Sequence, residues 1–185
     1  MLCGTGSLAS INLPGCVSEL QEYCAFPVHV VVTENALRFT TIRALQAMAA
    51  GRVWADDFSD PTEDGSPPHV LLTDQAALIV VYPATANFIA KIAHGLADDL
   101  PTTVILSAAC PVIVVPAMHW RMWDNAATQA NLHVIDERGL TVLWPASGET
   151  REGSGVSFPV AEVVRRARSL LRESPTVGVL TAAAT

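Results

Sequence analysis

A glycine-rich turn near the start of the chain could hold a phosphate group. The residues CGTGS at positions 3–7 follow a short apolar stretch. Glycines placed after a strand let the backbone approach a phosphate, and the first turn of a following helix supplies amide donors and a favourable dipole. Such a sequence also forms tight turns that hold no ligand, so the turn by itself leaves both interpretations open.

Small and polar residues end two further apolar runs. Thr33-Glu34-Asn35 follows the first run, and PATANF at positions 83–88 follows the second. The small residues of PATANF would leave room for a flat ring, to which Thr85 and Asn87 could hydrogen-bond. The alternative is an ordinary helix start, in which Thr85 or Asn87 caps the first free amides.

Another segment combines sulfur-containing, aromatic and ionisable side chains. PAMHWRMW at positions 116–123 contains two methionines, two tryptophans, a histidine and an arginine, directly after an apolar run. This composition is unusual for a solvated loop and suits the wall of a ligand pocket. A hydrophobic cap on a sheet or a subunit contact would have the same composition.

A lone histidine is more often structural than catalytic, but the position of His69 leaves a catalytic role open. His69 follows Pro67-Pro68 at the end of an acidic, turn-rich stretch over residues 59–68, so an exposed loop would hold it where it can reach into a cleft. The other three internal histidines, His29, His94 and His133, fall within predicted strands or helices and are interpreted as structural.

The elements that must position these residues alternate along the chain. Continuous rather than alternating apolar runs indicate strands covered on both faces, as in a parallel sheet. The pattern predicts one domain over residues 1–185 with a three-layer α/β, Rossmann-like (flavodoxin-like) fold, whose ligands bind at the carboxyl edge of the sheet. Predicted strands cover Val28–Thr33, Ala77–Tyr82, Val112–Val115 and Thr141–Trp144, and predicted helices cover Ala36–Ala50, Ala86–Leu96, Ala126–Glu137 and Phe158–Glu173.

Two segments depart from this alternation. Pro145–Ser157 contains three glycines that favour neither helix nor strand, so it is either a plain surface connection or a flexible lid over a site. The tail from Ser174 onward ends in small residues and is expected to be loosely held.

Composition narrows the function classes. Half of the 185 residues are hydrophobic, 16% are charged and the net charge is −7. The low charge content favours self-association, and the absence of a basic run argues against nucleic acid as a partner. No apolar run reaches the ~20 residues that a membrane helix needs, and the start lacks a basic segment typical of signal peptides, so we expect a cytoplasmic protein with no membrane partner.

The four cysteines offer no metal site. Cys3, Cys16, Cys24 and Cys110 show no CxxC spacing and stand in apolar contexts. We therefore expect free, buried thiols in a reducing compartment and no bound metal.

Together these segments resemble the homo-oligomeric flavin-containing cysteine decarboxylases. That family includes the peptidyl-cysteine decarboxylases of lantibiotic-type biosynthesis and the phosphopantothenoylcysteine decarboxylases. PATANF is similar to the family's PASANT motif, and PAMHWRMW is similar to its PxMNxxMW motif. GTGS at positions 4–7 matches the flavin-phosphate turn, and His69 matches the active-site histidine. The resemblance runs from Gly4 to about Gly148.

The resemblance implies a flavin cofactor, with FMN and FAD both open, and a homo-oligomer built from trimers, either one trimer or a dodecamer of trimers. His69 and His119 are the implied catalytic residues. The implied substrate-binding residues are Asn87, Met118, His119, Trp120 and Trp123. The implied flavin-binding residues are Gly4, Gly6, Ser7, Thr33, Phe39, Ala84, Thr85, Asn87 and Met118.

The chain departs from the family pattern at three places. His119 replaces an asparagine that handles the substrate carboxylate, so His119 must supply an equivalent donor. Phe88 replaces the last residue of PASANT. Phosphopantothenoylcysteine decarboxylases carry a cysteine in the region of Pro145–Ser157 that helps reduce the enethiol intermediate, and this chain has none there. The resemblance therefore implies that the C-terminal cysteine of a ribosomal precursor peptide becomes an aminoenethiol, toward S-(2-aminovinyl)-cysteine in a lantibiotic-type peptide.

Three other functions share parts of this pattern. A phosphopantothenoylcysteine decarboxylase of coenzyme A biosynthesis would use the same first half of the reaction. A flavin prenyltransferase would not be expected to carry the methionine–tryptophan motif at 116–123. A non-catalytic flavin-binding protein of similar assembly would show no turnover on any cysteine-ended peptide.

Overall fold

Six parallel strands form the central sheet of the computed structural model, which describes residues 1–24, 26–55, 65–145 and 155–173. The strand order is β3-β2-β1-β4-β5-β7, and a separate antiparallel pair joins β6 to β8. The strands are β1 (Leu2–Gly4), β2 (Val30–Val32), β3 (Val53–Trp54), β4 (Ile79–Ala84), β5 (Val112–Pro116), β6 (Met118–His119), β7 (Thr141–Val142) and β8 (Gly155–Val156).

Helices cover the sheet in two layers. One layer holds α1, which contacts α2 and α8, and the other holds α5 and α4, which contact α3 and α7. Right-handed crossovers between parallel strands place the connections on these two sides. The helices are α1 (Leu13–Tyr23), α2 (Ile42–Met48), α3 (Pro68–Gln75), α4 (Ala86–Ala93), α5 (Leu100–Leu106), α6 (Trp120–Trp123), α7 (Ala126–Glu137) and α8 (Val160–Glu173).

The main strands are buried on both faces, which is why their sequences are continuously apolar. Every residue of β1, β2, β4 and β5 is buried. The predicted three-layer, flavodoxin-like fold with a parallel sheet is therefore confirmed. From β1 the sheet grows toward β2 and β3 on one side and toward β4, β5 and β7 on the other, so the strand order reverses between β1 and β4. Folds of this kind bind ligands in the crevice at the carboxyl ends of the two strands where the order reverses.

Several predicted boundaries were wrong. The helix predicted over Ala36–Ala50 is a 3-10 turn at Glu34–Arg38 followed by α2, because Thr41 starts a new helix by accepting a hydrogen bond from the Ala44 amide. The helix predicted over Ala86–Leu96 ends at Ala93, and the last predicted strand shortens to Thr141–Val142. The sequence analysis expected a helix after the glycine-rich turn without giving the bounds of α1, and it missed α3, α5 and β3.

The predicted lid and tail lie mostly outside the described residues. Of Pro145–Ser157, only residue 145 and residues 155–157 are described. The residues from Ser174 onward lie outside the described residues. Gly155 and Val156 form β8, so at these two positions the expectation of no regular structure was wrong. Within the described ranges, no helix is long and apolar enough to cross a membrane.

Candidate active site

The Thr5 side chain links the carboxyl ends of β1 and β4 by hydrogen bonds. Its hydroxyl donates to the Pro83 carbonyl at 2.7 Å and accepts from the Thr85 amide at 3.1 Å. The side chain is 1% exposed, and the Tyr82–Pro83 peptide beside it is cis. The turn that follows β1 and the PATANF segment are thus held side by side. The sequence analysis passed over Thr5, because its partners lie about 80 residues away.

The glycine-rich turn packs directly against the turn that follows β2. A Cβ added to Gly6 would lie 2.5 Å from the Cβ of Asn35, so this approach requires glycine. A Cβ on Gly4 would meet a methyl group of the Leu13 side chain at 2.6 Å. The predicted phosphate turn and the Thr33 turn therefore form one concave backbone surface, as the sequence analysis expected from strands that end at the same edge.

Three hydroxyl groups at this edge serve as helix caps. Ser7 accepts from the Ala9 amide, Thr33 from the Ala36 amide and Thr85 from the Phe88 amide, at 3.2 to 3.3 Å. The capping interpretation is correct for Thr85, whereas the exposed Asn87 makes no cap. Because a hydroxyl can accept and donate at once, each of these groups keeps its proton for an acceptor on a ligand.

The remaining residues of the implied flavin set lie at, or follow, the carboxyl ends of β2, β4 and β5. Phe39 ends the 3-10 turn after β2 and is 39% exposed, so its ring is available for stacking. Ala84 is buried at the end of β4, where a small side chain leaves room above the backbone. Asn87 is exposed on the first turn of α4, and Met118 is half-buried directly after β5. Phe88, the departure from PASANT, is 2% exposed and belongs to the core.

His119 has a fixed ring orientation. It caps α6, and its Nδ1 atom accepts a hydrogen bond from the Arg121 amide at 3.2 Å. A neutral imidazole that accepts at Nδ1 carries its proton on Nε2, so the exposed ring presents an N–H donor. This is the type of group that the missing asparagine would have supplied.

The two tryptophans of the same motif have different surroundings. Trp123 is 6% exposed and packs edge to face against Trp144, with ring centroids 5.9 Å apart. For Trp123 the interpretation as a hydrophobic cap is therefore correct. Trp120 is half-buried beside His119, with centroids 5.7 Å apart, and it can form part of a pocket wall.

The end of the predicted lid is anchored to this motif. Strand β8 pairs antiparallel with β6, opposing Met118 to Val156 and His119 to Gly155. A Cβ on Gly155 would lie 2.6 Å from the Met118 carbonyl oxygen, so the pairing depends on glycine at this position. The lid segment thus returns to the site beside two of the implied substrate-binding residues.

His69 lies in a helix rather than in the predicted loop. Pro68 occupies the first position of α3, where a proline is favoured because the missing N–H needs no partner. The helix follows β3 and leads into β4, so its first turn, with His69, lies near the carboxyl edge of the sheet. His69 is half-buried, and its Nδ1 atom is buried without a hydrogen-bond partner among the described residues.

Two further buried polar atoms near this edge have no partner in the described structure. They are the Thr40 hydroxyl, just before α2, and the indole nitrogen of Trp54, the last residue of β3. An unsatisfied buried polar group costs about 1–3 kcal/mol, which a bound polar group can recover. Together with the glycine cradle, these atoms fit an edge built to hold a polar ligand. No motif in the sequence marks either residue, since a threonine before a helix and a tryptophan in a strand are both common structural residues.

The thiols lie away from this edge or are fully buried. Cys3 and Cys16 are buried in the core, and burial raises the pKa of each thiol to about 12. Cys24 follows α1 and Cys110 precedes β5, so both lie at the amino edge. All four are free, as predicted, but Cys24 and Cys110 are only partly buried, which corrects the expectation for them. Partial burial also raises the pKa of these two thiols.

The three other histidines are placed as structural residues. The Nδ1 atom of His29 accepts from the Arg52 amide, and His94 ends α4. The ring of His133 lies 5.3 Å from that of Trp144. In the parts of the chain that the structure describes, no three His, Cys, Asp or Glu side chains gather where they could hold a metal ion.

Comparison with known proteins shows the family to which the chain belongs. The family model described as Flavoprotein matches residues 1–171. The chain belongs to the Flavoprotein family. The predicted flavin cofactor is thereby confirmed, and the glycine cradle, the hydroxyl donors and the unpartnered polar atoms fit such a group.

The relatives of this chain include a protein of coenzyme A biosynthesis and a cysteine decarboxylase of thioviridamide biosynthesis. The coenzyme A biosynthesis bifunctional protein CoaBC of Mycobacterium bovis is 40% identical over 171 residues, which cover 91% of this chain and 40% of that protein. The chain therefore spans less than half the length of this curated relative.

Two solved structures are similar to this chain over nearly its whole length. The FMN-dependent cysteine decarboxylase TvaF from thioviridamide biosynthesis has a TM-score of 0.78 at 28% identity, covering 92% of this chain and 96% of that one. A PPC decarboxylase complexed with pantothenoylaminoethenethiol has a TM-score of 0.75 at 27% identity, covering 90% and 94%. Both solved structures share the fold of this chain.

Proposed function

We propose that this flavoprotein oxidatively decarboxylates the C-terminal cysteine of a ribosomal precursor peptide to an aminoenethiol, toward S-(2-aminovinyl)-cysteine. The similarity to a cysteine decarboxylase such as TvaF supports the reaction class. A bound oxidised flavin would supply the two-electron oxidation at Cβ of the substrate cysteine, after which the carboxylate next to the thioaldehyde can leave as CO₂ and the substrate becomes an enethiolate. The chain's own side chains bind the peptide end, hold its charges and handle the thiol proton.

His69 is the proposed base for the substrate thiol. It lies on the first turn of α3 near the carboxyl edge, and its buried Nδ1 atom has no hydrogen-bond partner among the residues that the structure describes. A positioned histidine can accept a thiol proton near neutral pH.

His119 and Asn87 are proposed to orient the substrate carboxylate. The N–H of His119 at Nε2 faces outward, since Nδ1 is held by the Arg121 amide. Asn87 is exposed at the start of α4, where the helix dipole also favours a negative charge. Met118 and Trp120 are proposed to wall the pocket and exclude water, with Trp123 supporting them from the core.

The positions of the cysteines are the basis for proposing an enethiol rather than a saturated thiol as the product. Reduction of an enethiol to a saturated thiol needs a reactive thiol beside the substrate. All four cysteines of the chain are described; two are sealed in the core and two lie at the amino edge, opposite the crevice. No cysteine occurs in Pro145–Ser157. The proposed product is therefore the enethiol, which suits the peptide branch.

A second candidate is phosphopantothenoylcysteine decarboxylation. The specific observation in its favour is the 40% identity with CoaBC over nearly the whole of this chain. Under this alternative, the substrate would be a phosphorylated small molecule, and reduction of the enethiol would need a thiol that this chain does not place at the crevice.

The oligomer is proposed to be a trimer or an assembly of trimers. The low charge content of the chain and its exposed large apolar side chains, such as Leu8 and Leu106, support self-association. A site shared between subunits would also place a second chain against the exposed Phe39 and Asn87.

Mass spectrometry of the reaction tests both candidates. Purified yellow protein is incubated in separate reactions with synthetic cysteine-terminated pentapeptides and with phosphopantothenoylcysteine. Loss of about 46 Da from a peptide, which is CO₂ plus two hydrogens, supports the proposal. Turnover of phosphopantothenoylcysteine alone would establish the second candidate, and flavin binding without turnover of either substrate would show a non-catalytic flavin-binding protein.

A further inference from the structure

Helix α8 concentrates positive charge in an acidic protein. It carries four of the chain's eleven basic residues, against two of its eighteen acidic residues. These four residues, Arg165, Arg166, Arg168 and Arg172, line a surface groove together with Ser169, and we call them the arginine face. The rest of the chain is therefore more strongly negative than its net charge of −7 suggests.

The arginine face is built on a helix that the core holds firmly. Val163, Val164 and Ala167 are buried, and α8 packs against α1. Arg165, Arg168 and Arg172 follow the spacing that places side chains on one side of a helix. Because the apolar side anchors the helix, the guanidinium groups are displayed on a fixed surface.

Two of these side chains are arranged to accept an anion. The guanidinium of Arg168 stacks over the ring of Tyr23, 4.0 Å from its centroid, which orients the group while leaving its N–H edge available. The Arg165 side chain is 75% exposed, and its 3.5 Å contact with Glu162 is a long surface pair that contributes little. Such clusters recognise acidic segments through charge-assisted hydrogen bonds.

The face begins close to the proposed peptide site. Strand β8, which pairs with Met118 and His119, leads within four residues into the start of α8 at Val160. Arg165 lies about 8 Å along the helix axis from Val160, and Arg172 about 18 Å. The interval from Arg165 to Arg172, about 10 Å, corresponds to roughly three residues of an extended peptide.

We propose that the arginine face binds an acidic segment of the peptide substrate, upstream of the terminal cysteine that enters the active site. The proposal rests on the peptide function proposed above. A peptide has to run over the surface outside the crevice, and an acidic segment of about three residues would be repelled by most of this protein and attracted here.

Synthetic peptides test this inference in the flavin-loaded, full-length protein. Two fifteen-residue peptides end in the same five residues, including the terminal cysteine; one carries three consecutive glutamates upstream, and the other carries glutamines. Moving the glutamates along the upstream region locates the best register. In low salt we expect a KM about tenfold lower for the best glutamate peptide, with equal kcat, and the difference should fall as salt is raised.

Charge-neutralising variants locate the effect on the protein. Arg165→Gln combined with Arg172→Gln should abolish the advantage of the glutamate peptide and leave the glutamine peptide unchanged. Arg38→Gln combined with Arg43→Gln removes the same charge from two exposed residues elsewhere and should preserve the advantage. Flavin absorbance and circular dichroism verify the fold of each variant.

The outcomes separate this inference from the function on which it rests. Equal KM values for the two peptides at every register, with the pentapeptide still decarboxylated, would overturn the inference alone. A change in oligomeric mass in the Arg165/Arg172 variant would identify the face as a contact between copies and would also overturn it. Failure to decarboxylate the pentapeptide would instead overturn the proposed function.

Discussion

At the scale of single residues, the chemistry proposed here depends on two histidines with different surroundings. His69 has an unpartnered buried nitrogen on a helix turn, while His119 has one nitrogen held by the backbone and the other directed outward. The first arrangement suits a group that exchanges a proton, and the second suits a fixed donor. Separate substitutions can therefore distinguish the two roles.

For His69 we predict that His69→Asn retains flavin and loses turnover. Asparagine keeps polarity and approximate size but cannot take the thiol proton, so kcat should fall by about 10²–10⁴-fold. Flavin absorbance and single-turnover mass spectrometry measure the two properties on one sample. Decarboxylation at the parent rate would show that His69 has a structural role only.

For His119 we predict that the nature of the donor matters more than the histidine ring. His119→Asn restores a side-chain N–H donor and should keep kcat/KM within a few-fold of the parent. His119→Phe keeps the ring size without the donor, and kcat/KM should fall by about tenfold or more, since a hydrogen bond to a charged group is worth about 1.5–3 kcal/mol. Equal activity of the two variants would remove His119 from substrate binding.

At the scale of elements, the short helices α4 and α5 depend on their caps. Asp99 caps α5, accepting from the Thr102 amide at 2.8 Å, and also pairs with Lys91 of α4 at 2.8 Å. Partial burial opposes the charge of Lys91, but its hydrogen bonds to Asp98 and Asp99 outweigh this and raise the pKa of its ammonium. One carboxylate thus joins two helices of the same layer.

We predict that Asp99→Ala lowers the free energy of unfolding by about 1–3 kcal/mol, because it removes a cap and a largely buried partner of Lys91. Asp98→Ala is the matched control, since Asp98 pairs with the same lysine at 2.8 Å but its side chain is 59% exposed. Urea unfolding measures both variants. A larger loss for Asp98→Ala than for Asp99→Ala would contradict the assignment of the cap.

The short β6–β8 pair provides a second prediction at this scale. Gly155→Val should push β8 away from Met118 and raise the KM for peptide several-fold, while the flavin content stays unchanged, because the added side chain meets the Met118 carbonyl. Gly15→Ala serves as the control, since nothing lies within 4 Å of its added Cβ. An unchanged KM in Gly155→Val would separate the lid segment from peptide binding.

At the scale of the whole molecule, the low content of charged residues and the exposed apolar side chains favour self-association over a monomer. Leu8, Ile11 and Leu106 are 70%, 57% and 62% exposed, and 16% of the residues are charged. We predict a trimer or a multiple of it, so light scattering should report at least about three times the 19.6 kDa of one chain. An active monomer at micromolar concentration would contradict this prediction.

Much of the fold could be predicted because its signals are local. Parallel strands buried on both faces have continuously apolar sequences, and this located β2, β4 and β5. Helix α7 agrees with its prediction at both ends, since its apolar pattern is long and periodic. Helix α3 was missed because its apolar and polar residues show almost no amphipathic pattern in only two turns, and β3 has only two residues.

The sequence by itself determined which segments are candidates for the chemistry, because turn residues, caps and motif spacing are encoded locally. Only the tertiary structure decided which of them meet. It joined Thr5 to Pro83 and Thr85, set Gly6 against Asn35 and placed Cys24 and Cys110 at the edge opposite the crevice. These contacts depend on strand order and on packing between residues far apart in the chain, and no local pattern specifies either.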